Sequence, residues 1–172
     1  MSAEQTAREM TAEVKALADR AALLDLVHRY AVTVDARDLE GLADCFSDHA
    51  AAEYAGGVRL EGREAIRSFM AEAFRTHMGI GCPSTHLMTN TLVDLDGDEA
   101  GLRTTAIAFL TGQPGKVIVR GLRYTDRCIR EGQRWRFLHR RHEADWGFEA
   151  EAQFVATLAA NTSVSGASNG TD

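Results

Sequence analysis

The chain has 172 residues and a formal net charge of −6. That length closes a single hydrophobic core without disulfides or metals, and the acidic balance excludes broad electrostatic attraction to nucleic acid, which needs a concentrated basic surface. The one basic run, "HRRH" at 139–142, is too short to reverse this.

No stretch approaches the roughly 20 apolar residues that span a bilayer, and the N-terminus "MSAEQTAREMTAEVKAL" lacks the apolar centre of a secretory signal. The expectation is a cytoplasmic protein with no membrane partner. Cys45, Cys82 and Cys128 are odd in number and widely spaced, so they read as reduced thiols and form neither a disulfide frame nor a zinc site. In that compartment the triplets at Asn161 and Asn169 are accidental matches to a glycosylation pattern.

In chain order, Ser2 with Gln5, or Thr11 with Glu13, starts a helix within the first dozen residues. Leu23, Val27, Tyr30 and Val34 recur at steps of four, three and four, the buried stripe of a long amphipathic helix that ends near Asp35. Asp38 caps a short second helix over 39–46. The Gly56-Gly57 pair inside "HAAAEYAGGVRL" predicts a small hairpin. A third helix over 63–78 carries Ile66, Met70 and Phe74 at steps of four.

From Ser84 the texture becomes alternating and rich in β-branched residues, over 84–95, 102–111, 116–130 and 134–146. The short loops between these segments imply an antiparallel meander. Helices followed by a curved four-stranded sheet is an α+β layout, with helices covering one face. A single domain over 1–158 and a disordered polar tail over 159–172 complete the predicted organisation.

Strict alternation on the first long strand puts His86, Met88, Asn90 and Leu92 on one side, where an imidazole and an amide among apolar neighbours look like a ligand cavity. The plain alternative is a core histidine satisfied by a backbone carbonyl. Asp35 lies close to the buried helical stripe, where a carboxylate must be paired or meet a heavy desolvation cost. It caps a helix or does another job; Asp38 is the better cap. Paired, the two make an acid–base couple, since a carboxylate fixes which imidazole nitrogen carries the proton and the other nitrogen removes a substrate proton.

Tyr30 is a core tyrosine or a hydroxyl donor to the same site, although five residues separate it from Asp35 by roughly 140° around an ideal helix. In "WRFLHRRHEADW", alternation groups Arg136, Leu138, Arg140 and His142 against Trp135, Phe137, His139 and Arg141. Either Arg140 or Arg141 points inward to stabilise developing negative charge, or both are solvated. His139 and His142 lie on opposite faces, there is no HExxH motif, and no metal site is expected.

This order of elements, with "RAALLDLVHRYAVTVDARDLEGLADCFSD", "THLMTN" and "WRFLHRRHEADWGFEAEAQF", resembles the SnoaL-like, scytalone dehydratase-like branch of the nuclear transport factor 2-like superfamily. The resemblance implies a cone-shaped α+β barrel, three N-terminal helices packed on a curved, mostly antiparallel sheet enclosing a cavity. It implies a catalytic dyad at Asp35 and His86, assisted by Tyr30 and Arg140, with Met88, Asn90, Tyr54 and Phe109 contacting substrate. It also implies no cofactor, a small hydrophobic substrate and a homo-oligomer, with a trimer favoured over a dimer. The implied activity is a dehydratase-type lyase on a cyclic polyketide, steroid or terpenoid-like molecule. A cyclase or isomerase using the same dyad, or a non-catalytic small subunit like that of ring-hydroxylating dioxygenases, are the alternatives. The second histidine of scytalone dehydratases has no equivalent near 106–109, where this chain is apolar.

Overall fold

The computed structural model describes residues 2–76, 83–113 and 115–151. Cys82, Asn161, Asn169, the end of the predicted third helix beyond Thr76 and the predicted tail lie outside the described residues.

Helix α1 (Ala3–Ala36) starts where the Ser2 hydroxyl accepts from the Gln5 N–H, and it stops at Arg37, whose left-handed backbone (φ 57°) lets its N–H close on Thr33 and Val34 carbonyls. Asp38 caps α2 (Leu39–Asp44) by accepting from Gly41 N–H. That helix ends earlier than predicted, because Phe46 already belongs to β1 (Phe46–Tyr54). Gly56 and Gly57, both at positive φ, turn β1 back into β2 (Val58–Glu61). Helix α3 (Arg63–Thr76) buries Ile66, Met70 and Phe74.

The meander β3 (Ser84–Asp96), β4 (Glu99–Gln113), β5 (Lys116–Glu131) and β6 (Arg134–Glu151) is present as expected, with longer strands. The sheet has the order β2-β1-β6-β5-β4-β3. Among the described strands only β1 with β6 is parallel, so the sheet is mixed, with β2 and β3 at its two ends. Helix α1 lies against its inner face, and Leu23, Leu26, Val27, Tyr30 and Val34 meet Leu102, Ala106, Leu122, Tyr124 and Phe137 in one core. Burial of that stripe, at roughly 25 cal/mol per Å² of apolar surface, is what holds the helix in place. No helix among the described residues is long and apolar enough to cross a membrane.

A buried acid anchors α1 to the far strands. Asp19 pairs with Arg130 and Lys15 and accepts from the Trp135 indole N–H (3.4 Å), while Arg130 lies 4.5 Å over the Trp135 ring. The Arg130 contact, aided by Lys15 and Trp135, overcomes burial and holds the Asp19 carboxyl down at about 2. The first turns of α1 behave differently: Met10, Val14 and Leu17 are exposed, and local pairs such as Arg8 with Glu4 support the helix there.

Of the register shifts in the sheet, three bear on the faces of β3 and β6. Between Met88 and Thr91, β3 holds one residue more than β4; between Phe137 and His139, Leu138 is extra on β6; and Asp145 is extra opposite Gly121 and Leu122. On the outer face, Trp146 covers Gly121, its partner across the strands, and stacks on Phe148 with 52% and 55% of their surfaces exposed. A Cβ on Gly121 would sit 2.1 Å from the indole. Gly121→Ala should therefore swing Trp146 out, shifting its fluorescence to the red at a cost of about 1 kcal/mol in denaturant unfolding; an unchanged spectrum would contradict this packing.

Because the Asp19 carboxyl is depressed by folding, its stabilisation is complete above about 4, its ordinary range, and disappears as pH falls towards about 2. Asp19→Asn should lower stability by about 1–3 kcal/mol at pH 7 and by much less near pH 2.5, measured by urea unfolding at both pH values.

Candidate active site

The end of α1 and the start of β3 bring Asp35 and His86 together. Asp35 Oδ1 lies 2.7 Å from His86 Nδ1 and accepts from the Ser84 hydroxyl at 2.9 Å, while Oδ2 accepts from the His86 backbone N–H at 2.8 Å. The His86 side chain is 10% exposed and that of Asp35 24%. Burial pushes the Asp35 carboxyl up, but the His86 ring, the His86 backbone N–H and Ser84 outweigh it, so the group is held below its ordinary value and stays ionised. An ionised carboxylate only accepts, so His86 Nδ1 carries the proton of this hydrogen bond, and in the neutral ring Nε2 is the nitrogen with the lone pair.

Helix α1 remains regular through Ala36, so Tyr30 and Asp35 look to different sides of it. Asp35 faces the edge strand β3, whereas Tyr30 is buried against Phe46, Tyr124 and Phe137 at ring separations of 6.0–6.2 Å. The Tyr30 hydroxyl lies 3.5 Å from that of Tyr54, which stacks on Phe69. Burial, then the neighbouring Tyr30 hydroxyl, push the Tyr54 phenol well above its ordinary value.

Arg140 rather than Arg141 faces inward. Its side chain is 0% exposed; Nε and Nη2 each donate to an Asp126 oxygen at 2.8 Å, and its guanidinium carbon lies 4.0, 4.5 and 3.9 Å from the Tyr30, Tyr124 and Phe137 ring centres. Burial works against this charge and Asp126 more than restores it, leaving the guanidinium above its ordinary value. Arg141 is exposed and pairs with Glu53 and Glu143. The predicted grouping of Trp135 and Phe137 apart from Arg140 and His142 fails because of the Leu138 bulge, which turns all four inward.

Two expected substrate contacts lie elsewhere. The bulge in β3 leaves Asn90 exposed and sends Leu92 to the outer face, while Thr91, bonded to Thr104, takes the inner position. Phe109 pairs across the strands with Thr85 and Val119 on the outer face, since Ala106, Ala108 and Leu110 occupy the inner one. Met88 keeps its inward place, packed against the core.

Two inward polar residues were not anticipated as site residues. Ser84 shares His86's face, and spacing by two was the available signal. His142 lies opposite Tyr124, with ring centres 5.1 Å apart, and 5.7 Å from Tyr54. Burial, then the charges of Arg140, His86 and Arg120, lower it to about 4, so its ring is neutral at physiological pH. No cluster of three or more His, Cys, Asp or Glu among the described residues is arranged to hold a metal ion. Cys45 and Cys128 are buried free thiols, pushed up by burial.

A SnoaL-like domain model matches residues 15–141. Among solved structures, a protein of unknown function from Mycobacterium tuberculosis shares 28% identity over 76% of this chain and 74% of its own, with a TM-score of 0.68. An NTF2-like protein with a cystatin-like fold from Novosphingobium aromaticivorans shares 24% over 77% and 86% (TM-score 0.69). Hexachlorocyclohexane dehydrochlorinase LinA-type3 from Novosphingobium barchaimii shares 21% over 84% and 99% (TM-score 0.72). No match was found among curated proteins. The family match covers most of the chain, and the helices, hairpin and mixed sheet agree with it: the protein belongs to the SnoaL-like domain family, within the NTF2-like fold.

Proposed function

We propose that the protein is a cofactor-independent lyase of the dehydratase type, acting on a small hydrophobic cyclic molecule that carries a carbonyl. The observation that carries this reading is the 2.7 Å contact between Asp35 and His86 Nδ1, because it leaves Nε2 as an oriented base beside an apolar core. In the step, Nε2 takes a proton from the carbon next to the carbonyl, and the C–H electron pair becomes the new double bond as the β-oxygen leaves. The imidazolium, stabilised by Asp35, returns its proton to that oxygen, which departs as water. Cyclisation or isomerisation would begin with the same abstraction.

Tyr30 and Tyr54 supply hydroxyls within reach of each other for the substrate oxygen. Arg140 is the weaker helper, since Asp126 engages two of its nitrogens and leaves only Nη1 without a partner among the described residues. A non-catalytic small subunit would have no use for a carboxylate fixed by Ser84 and by both ring and backbone of His86.

The test is solvent deuterium exchange next to the carbonyl, followed by mass spectrometry, over a panel of hydroxylated cyclic ketones. His86→Ala and Asp35→Asn should each slow exchange by about 10²–10⁴ with the circular dichroism spectrum retained. Full exchange in either variant refutes the assignment.

A further inference from the structure

After the Leu138 bulge, Arg140 and His142 are the next two inward positions of β6. Each holds a nitrogen sealed from solvent without a hydrogen-bond partner among the described residues, Nη1 of Arg140 and Nδ1 of His142. Buried polar atoms are almost always matched, and an orphan costs about 1–3 kcal/mol, so two in adjacent positions call for an occupant; an oxygen atom would match Nη1 and the Nδ1-protonated tautomer of His142. They share one support: Arg140 lies 4.5 Å and His142 5.1 Å from the Tyr124 ring centre.

The surroundings suit a flat ring. Tyr54 is tilted against the imidazole at 5.7 Å, and Ala106 and Ala108 project no polar group from β4. A cleft of about 430 Å³ lies at the β1–β2 hairpin, and Tyr54, His142 and Ala144 form part of its wall. His86 stands on β3, three strand spacings from β6, or about 14 Å before the inward curl of the sheet and the two side chains are subtracted. A molecule with more than one ring bridges that gap.

We propose that His142 is the second polar contact for the substrate, its Nδ1–H donating to a carbonyl or phenolic oxygen of a fused-ring compound, with Arg140 Nη1 as companion donor. This rests on His86 marking the other end of the same site. The ring keeps its proton throughout: it stabilises negative charge gathering on the oxygen while His86 takes the proton from carbon. A neutral imidazole suits that task, since it donates a hydrogen bond without adding a second full charge beside Arg140.

The test compares 2-naphthol with 2-methylnaphthalene, which match in shape and differ in the oxygen, by titration calorimetry on the full chain. Wild type should bind 2-naphthol about tenfold more tightly. His142→Phe should lose that preference while binding 2-methylnaphthalene as before, and His142→Gln, which retains a donor, should recover part of it. In the unaltered chain the His142 ring ¹⁵N resonances should move with 2-naphthol and not with 2-methylnaphthalene, which decides the matter even where a variant does not fold. An undiminished preference in His142→Phe, stationary ring resonances, or no preference in wild type overturns the proposal. His86→Ala should keep the preference, so absence of deuterium exchange with the preference intact counts against the lyase reading alone.

Discussion

A guanidinium with no exposure to solvent sets the terms for this fold. Arg140 stays charged in the core because Asp126, directly opposite on β5, gives it two oxygens and three aromatic faces surround its plane. That requirement dictates much of what lies nearby. Tyr30 must come from α1, Tyr124 and Asp126 from β5 and Phe137 from β6, so the ion pair ties the helix to two strands at one point. Removing either partner would strand a bare charge, a defect worth about 3–5 kcal/mol. The neighbouring inward place, His142, inherits an environment that discourages a second positive charge.

The carboxylate at the end of α1 solves the opposite problem. Asp35 is partly buried, but its acceptors are engaged by a hydroxyl, a backbone N–H and a ring N–H that all come from a three-residue span of β3. The same contacts that stabilise the anion lock the imidazole's tautomer and aim. In the proposed reaction, a base held by its own strand would need little reorganisation as the proton moves.

Much of this was legible in the residues. Ser2 and Asp38 announced helix starts, the Gly56-Gly57 pair the hairpin, and the step pattern of Leu23 to Val34 the buried face, because each is a local rule with a local cause. Asp35 and His86 stood out since both are polar within apolar runs. The faces of β3 and β6 were another matter. Alternation counts residues, and one extra residue at Thr89–Asn90 or at Leu138 reverses every assignment beyond it. Nothing in "MTNT" or "FLHR" marks the insertion, which is a property of pairing with the neighbouring strand. Asn90 and Phe109 were misplaced for related reasons, one through a bulge and the other through an unknown strand phase, and His142, although grouped with Arg140, was overlooked because alternation could not say which face of β6 points inward.

The long first helix has two ends with different obligations. Its second half is clamped by the core and by Asp19, while its opening turns, with Met10, Val14 and Leu17 facing water, are helical only as an extension of that clamped half. A free segment of that length is marginal by itself in water. Unwinding can therefore run through these exposed turns, and it will stop at the clamp. The carboxylate some 50 Å away along the axis is insulated from such events, so the N-terminal turns are free to lengthen, shorten or change partners over evolutionary time without a tremor reaching His86.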